Sequence, residues 1–232
     1  MRLMAVSPGT ERMVEGEEIR VPVGESSVTA SVHGAGTTTV VLGHGAGGTR
    51  RTGQLVALAE ALAASGRRAV LYNFPYTDAR RRVPDPPELL EAATRAVGEH
   101  VRAALGGARV VHGGRSMGGR IASQVVAQGA PADGLVFLGY PLHPPGRPDA
   151  LRDRHLSKVG VPMLFVQGTR DTFARADLLE ALVRRLGERA TCHRVEGADH
   201  SFAVLKRSGR AAAEVEAEVH GAVLAWLSAQ GL

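Results

Sequence analysis

Apolar residues follow two rhythms along this chain. Ile19, Val21 and Val23, then Val28, Ala30 and Val32, alternate with polar neighbours around Gly24-Glu25-Ser26. A period of two about such a turn predicts a hairpin of half-buried strands. Continuous runs come next: Thr39–Leu42, Ala69–Phe74, Val110-Val111, Leu135–Leu138 and Met163–Val166. Unbroken apolar runs of this length predict strands covered on both faces. Between them the spacing changes to that of a helix. Leu55, Leu58, Ala59 and Leu62 predict one over 54–65, and further helices fit 88–105, 178–186 and the segment carrying Val215, Val219, Ala222, Val223 and Trp226. A helical face of Ile121, Ala122, Val125 and Val126 starts directly after residue 119, and a short strand ends at His193-Arg194-Val195. The stretch from Pro75 to Pro87 is polar and rich in Pro and Arg, and reads as a loop, as does Tyr140 to Pro148.

A hairpin followed by alternating strands and helices predicts an α/β fold: one mainly parallel sheet with helices on both faces. The 232 residues, 44% of them apolar, suffice for one such domain. We place it at residues 19–232, with 1–18 as a flexible N-terminal arm. The arm carries six charges and no apolar core of the kind a secretory signal has. No apolar run approaches the ~20 residues needed to cross a bilayer, so no membrane partner is expected. A single cysteine, Cys192, excludes an intrachain disulfide and fits the reducing cytoplasm; its setting in a strand makes it a structural thiol.

The net charge is +5, and all but Lys158 and Lys206 of the 28 basic residues are arginines. They are scattered, apart from Arg80-Arg81-Arg82, and no nucleic-acid-binding motif accompanies them. We read the excess as coding bias and expect no nucleic-acid partner. The arginine cluster reads as a solvated loop face or a contact for an anionic group. Nothing sets the oligomeric state, monomer or homodimer.

The chemistry gathers where strands end. Val110-Val111-His112-Gly113-Gly114-Arg115-Ser116-Met117-Gly118-Gly119 runs from an apolar strand through Gly-x-Ser-x-Gly into a helix. Strand, sharp turn and helix together make the context in which that motif presents an exposed serine. Glycines two residues either side remove collisions that so tight a turn creates. Asp171 follows the strand at 163–166, and His200 follows the last strand. Serine, then aspartate, then histidine is one of the chain orders in which a nucleophile, its orienting carboxylate and its base occur. A serine needs a base to take its proton, an imidazole titrates near neutrality, and a carboxylate can fix the imidazole's tautomer. Two backbone N–H groups, of Met117 and of Ala46 in the loop Gly43-His44-Gly45-Ala46-Gly47-Gly48, are candidates to hold the oxyanion of a tetrahedral intermediate.

Asp199 is a rival acid, poorly placed beside His200 in sequence to grip that ring. His112 reads as a packed core histidine. No His/Cys/Asp group has metal-ligand spacing, and the glycines at 43–48 do not form a dinucleotide fingerprint, so no metal or cofactor is expected. Tyr76, Arg115, Tyr140, Leu142 and His143, together with His44, are candidate substrate-lining residues. His44 more readily shapes the loop than reacts.

The residues resemble the α/β-hydrolase superfamily over nearly the whole chain. The stretches Leu42–Gly48, Asn73-Phe74-Pro75-Tyr76, Gly113–Arg120, Gly139–Gly146, Gly168-Thr169-Arg170-Asp171 and Gly197–Phe202 narrow this. Together they resemble the KANL/Tex-type α/β-hydrolase-like proteins, relatives of the dienelactone hydrolases. The resemblance implies a small hydrolase-like domain, and the Ser116, Asp171 and His200 positions imply a serine hydrolase acting on small esters or thioesters. The alternative it admits is a scaffold or interaction protein that keeps the fold without the activity. Ser116, where a dienelactone hydrolase carries cysteine, argues against that activity itself. Thr172-Phe173-Ala174 departs from the Pro and Gly expected after the acid, which leaves the local turn open. Only 24 residues join Leu138 to Met163, too few for a large cap domain.

Overall fold

The structure is a computed structural model, described here for residues 16–106 and 108–232. Eight strands form one sheet: β1 (Glu17–Val23), β2 (Ser26–His33), β3 (Thr38–Gly43), β4 (Arg68–Tyr72), β5 (Arg109–Arg115), β6 (Gly134–Leu138), β7 (Met163–Gly168) and β8 (Ala190–Val195). Their order is β1-β2-β4-β3-β5-β6-β7-β8. Only β2 runs against the rest, pairing antiparallel with β1 and with β4. The hairpin is therefore an extension of the parallel sheet, joined through its second strand.

The helices are α1 (Gly53–Ala64), α2 (Pro75–Asp78), α3 (Pro87–Ala104), α4 (Met117–Ala127), α5 (Ala176–Leu186) and α6 (Ala212–Ala229). Leu55, Leu58 and Leu62 of α1 join Val215, Val219 and Val223 of α6 over Val40, Leu42, Val136 and Leu138. The other face of the sheet packs on α3, α4 and α5, through Leu90, Val97, Ile121, Val125, Leu179 and Leu182. β3, β6 and β7 are buried at every position, as their unbroken apolar runs require.

Two expectations need correction. The polar stretch 75–87 is not all loop, because Pro75–Asp78 forms a one-turn helix. Its Asp78 carboxylate accepts the Thr29 N–H and the Asn73 amide. The domain also begins earlier than residue 19, since Glu17 and Glu18 already pair with Val32 and Ser31. Residues 1–15 of the expected arm lie outside the described residues. So does Gly107, half of the expected helix stop; Gly106, just past the Leu105 cap of α3, has φ 63°.

The connection from β6 to β7 holds one short 3-10 turn, Arg154–Lys158, and no cap domain. No helix among the described residues is long and apolar enough to cross a membrane.

Candidate active site

β3, β5, β7 and β8 all end on one edge of the sheet, and each delivers a part of the site there. At the end of β5 the backbone turns through Ser116 at φ 50°, ψ −113°, and α4 starts at the next residue. A non-glycine residue held there costs on the order of 1–3 kcal/mol, which the surrounding packing must offset. The tightness shows in two glycines. A Cβ on Gly114, at φ 143°, would lie 2.1 Å from the Gly43 carbonyl oxygen, and one on Gly118 would lie 2.2 Å from the same atom. The serine turn is thus pressed against the end of β3, and the next loop, His44 to Gly48, lies beside it. The Ser116 N–H donates to the Leu138 carbonyl at 3.0 Å, which fixes the turn to β6.

From Ser116 a continuous hydrogen-bond chain leads inward. Its hydroxyl lies 2.8 Å from His200 Nε2, and His200 Nδ1 lies 2.7 Å from Asp171 Oδ2. A carboxylate cannot donate, so the proton between Asp171 and the ring sits on Nδ1. That leaves Nε2 as the acceptor facing Ser116. The Asp171 side chain is fully buried, while His200 keeps 17% of its side chain exposed. Asp171 is held from two more sides: Phe173 N–H donates to Oδ1 at 2.7 Å, and the Gln167 amide donates to Oδ2. Gln167 in turn accepts the Tyr140 N–H at 2.8 Å. The turn after the acid closes without Pro or Gly, because Ala174 N–H reaches back to the Asp171 carbonyl at 3.2 Å.

The rival carboxylate has a different task. Asp199 Oδ1 accepts the N–H groups of Ser201 at 2.7 Å and Ala203 at 3.0 Å, so it ties up the loop that carries His200. Within that loop Phe202 adopts φ 58°.

The loop after β3 is braced by the Asn73–Tyr76 segment. Asn73 Oδ1 accepts the Arg50 N–H at 2.8 Å, and the Tyr76 hydroxyl accepts the Gly47 N–H at 3.3 Å. His44 Nδ1 donates to the Gly45 carbonyl at 2.8 Å, and Nε2 accepts the Phe74 N–H at 3.2 Å. Burial lowers the pKa of His44, which keeps the ring neutral as this donor–acceptor pair needs. Gly48 N–H closes back on the Gly45 carbonyl at 3.0 Å. Among the described residues the N–H groups of Ala46 and Met117 hold no hydrogen-bond partner.

Several expected lining residues are not on a surface. His44, Tyr140 and Leu142 are fully buried, Tyr76 is 1% exposed and His143 4%. Tyr140 packs edge-on against Phe137 and Phe165 and gives its hydroxyl to the Arg152 carbonyl at 2.7 Å. His143 donates to the Pro144 carbonyl and accepts the Arg175 N–H at 2.9 Å. Burial sets all five behind the surface, and internal hydrogen bonds occupy His44, Tyr140 and His143. Arg115 is only partly buried and stays at the site, but its Nε and Nη2 are already bound within the protein. Arg80, Arg81 and Arg82 lie exposed, with Arg81 paired to the buried Asp85, which fits the solvated loop face.

The sequence reading missed Phe173 and Gln167. The signal for Gln167 was an amide closing the apolar run of β7. Phe173 had none beyond the turn it sits in.

No group of three or more His, Cys, Asp or Glu side chains suited to a metal occurs among the described residues. Apolar cavities exist to either side of the hydrogen-bond chain. One of about 380 Å³ lies under α5, beside Cys192 and Leu179. The other, about 260 Å³, lies between α1 and α6 and borders Gln54 and Ser201. Neither is lined by Ser116; the larger of the two reaches Gln167, the amide that holds Asp171, and the smaller reaches Gln54 and Ser201.

Residues 36–228 match the family model described as an α/β hydrolase domain. The chain belongs to that family. A lidless α/β serine hydrolase from Xanthomonas campestris superposes with a TM-score of 0.72 at 20% identity, covering 92% of this chain and 95% of that one. A dienelactone hydrolase from Anabaena variabilis gives 0.70 at 20% identity, covering 90% and 96%. The protein Est1E from Butyrivibrio proteoclasticus gives 0.69 at 13% identity, covering 91% and 99%. At these identities the likeness is one of fold. The α/β-hydrolase fold places the turn after β5 and the loops after β7 and β8 on one edge, which is where Ser116, Asp171 and His200 meet.

Proposed function

We propose that this α/β hydrolase is a serine hydrolase cleaving small esters or thioesters through an acyl-enzyme on Ser116. The observation that carries the reading is the unbroken chain Asp171–His200–Ser116, at 2.7 and 2.8 Å, ending on a serine held in a strained turn. Ser116 Oγ attacks the carbonyl carbon as His200 Nε2 takes its proton. The carbonyl electron pair moves onto the oxygen, which the N–H groups of Ala46 and Met117 receive. Collapse expels the alcohol or thiol, and Nε2 returns the proton to it. Water then attacks the acyl-enzyme by the same route, and Ser116 regains its proton. Asp171 holds the tautomer throughout and stabilises the imidazolium.

Fixed backbone donors at the oxyanion are worth roughly 3–4 kcal/mol each in such reactions. The braces from Asn73, Tyr76 and His44 on the loop around Ala46, and the start of α4 at Met117, support this assignment. The absence of a cap between β6 and β7 supports small acyl groups as substrates. Turnover of p-nitrophenyl acetate tests the reading. Wild-type protein should hydrolyse it well above background, and Ser116→Ala and His200→Ala should bring the rate down to background. Equal rates in all three proteins would reject it.

A further inference from the structure

Three side chains around the site close a ring of hydrogen bonds that the reaction scheme does not use. Arg115, the residue before Ser116, donates from Nε to Gln54 Oε1 at 2.9 Å and from Nη2 to Ser201 Oγ at 3.0 Å. Nη2 also reaches the His200 carbonyl at 3.5 Å. The Gln54 amide nitrogen donates to the Ser201 carbonyl, which completes the ring. The members come from three elements: the end of β5, the first turn of α1 and the loop bearing His200. Arg115 also underlies the candidate oxyanion loop, for a Cβ on Gly45 would lie 3.1 Å from Nη1 and 3.6 Å from Ser116 Cβ.

We infer that Arg115, with Gln54, is a positioning residue that clamps the His200 loop against the serine turn. The inference rests on the hydrolase reading for what the clamp serves. It replaces the expectation that Arg115 binds substrate. A guanidinium suits the task because its planar fork sends separate N–H groups to a helix and a loop at fixed angles. A substrate contact through Nε or Nη2 would need those donors free. The loop's other ties are its internal bonds to Asp199, the bonds of Gly197 and Ala198 to Thr169 and Arg170 after β7, and the His200 ring itself, which alone of these reaches the serine turn. Burial works against the charge on Arg115, and the nearby carboxylates of Asp171 and Asp199 favour it.

Positioning and substrate binding separate in kinetics, since a lost transition-state geometry lowers kcat while a lost ground-state contact raises KM. Arg115→Met keeps the stem and removes the fork. It should lower kcat on p-nitrophenyl acetate about tenfold or more, with KM changed less than about threefold. Arg115→Lys should recover little, because one ammonium cannot span both partners. Gln54→Ala should lower kcat less, and its effect should shrink in the Arg115→Met background, as expected for parts of one ring. Amide exchange at residues 199–203 should quicken in Arg115→Met at unchanged melting temperature. A higher KM with unchanged kcat would overturn the clamp in favour of a substrate contact. Additive effects of the two substitutions would overturn it too. Wild-type protein inert toward esters would reject the hydrolase reading instead. Exchange across 199–203 would then decide the clamp alone, faster in Arg115→Met supporting it and unchanged overturning it.

Discussion

The Phe173 ring lies 4.3 Å, centroid to centroid, from the His200 imidazole, with 31° between the planes. The same residue's N–H binds Asp171 Oδ1, so Phe173 touches both partners of the proposed proton relay. Its ring limits how far the imidazole can swing, and an aromatic face favours an imidazolium by about 0.5–1 kcal/mol at partly exposed sites. Phe173→Ala should lower kcat about two- to fivefold on these terms, while Phe173→Tyr should stay near wild type. Steady-state kinetics of the pair checks this. Equal kcat in wild type and Phe173→Ala would show that the ring only fills space.

Asp171→Asn isolates the tautomer argument. An asparagine can turn its amide N–H toward His200, which favours a proton on Nε2 and leaves Ser116 without an acceptor. It also replaces Oδ2, which accepts the Gln167 amide, and leaves Oδ1 to the Phe173 N–H. The expected loss in kcat is on the order of 10⁴, with the fold retained by circular dichroism. A loss under tenfold would mean that another group orients the ring.

Gly98 of α3 faces the ring of His112 in β5. A Cβ there would lie 2.4 Å from His112 Cε1. Alanine is the better helix former by about 1 kcal/mol, yet Gly98→Ala should destabilise the protein by about 1–3 kcal/mol, the usual range for overpacking. Urea denaturation measures it. Increased stability would show that His112 can move aside.

His112 also sets an acid limit. Burial, with the Arg102 charge adding to it, lowers its pKa from 6.5 to about 4. His155, partly buried beside Arg120, is lowered to about 4 as well. Between these values the unfolded chain binds protons that the folded chain does not. Stability is therefore complete above pH 6.5 and falls as pH drops toward 4. At 1.36 kcal/mol per pKa unit, His112 alone accounts for up to about 3 kcal/mol. Melting temperatures across pH 4 to 7 should show the decline, with a shallower slope in His112→Asn. A profile flat over that range would contradict neutral burial of both rings.

Much of the site could be read in advance because its signals are local. Gly114-x-Ser116-x-Gly118 and Asp171 each follow an apolar run, and His200 follows a short mixed strand; strand ends of a parallel sheet collect on one edge. What failed was the direction of loop side chains. Tyr140, Leu142 and His143 follow β6 in a Pro-rich segment that looks exposed. The segment folds down instead, so that Tyr140 packs edge-on against Phe137 and Phe165 and His143 bonds to the α5 approach. No periodicity marks which way an irregular residue turns. Arg115 was placed correctly beside Ser116, but its partners Gln54 and Ser201 lie 61 and 86 residues away in sequence. Only the fold brings them together.

Substrate length follows from the 24-residue connection after β6. Without a cap, a long acyl chain gains little burial, since the cavity between α1 and α6 offers only about 260 Å³. Acetate and butyrate p-nitrophenyl esters should show higher kcat/KM than the palmitate ester. A preference for palmitate would contradict an open, shallow site.

The most direct test of the central claim is covalent labelling of Ser116 by a fluorophosphonate, read by intact mass and peptide mapping. Phosphonylation requires an accessible hydroxyl, a base for its proton and donors for the phosphoryl oxygen. These are the parts assigned to Ser116, His200, Ala46 and Met117. The account predicts one adduct, on Ser116, absent in Ser116→Ala and slowed by several orders of magnitude in His200→Ala. Folded wild-type protein left unlabelled while a known serine hydrolase reacts under the same conditions, or an adduct that persists in Ser116→Ala, would contradict it.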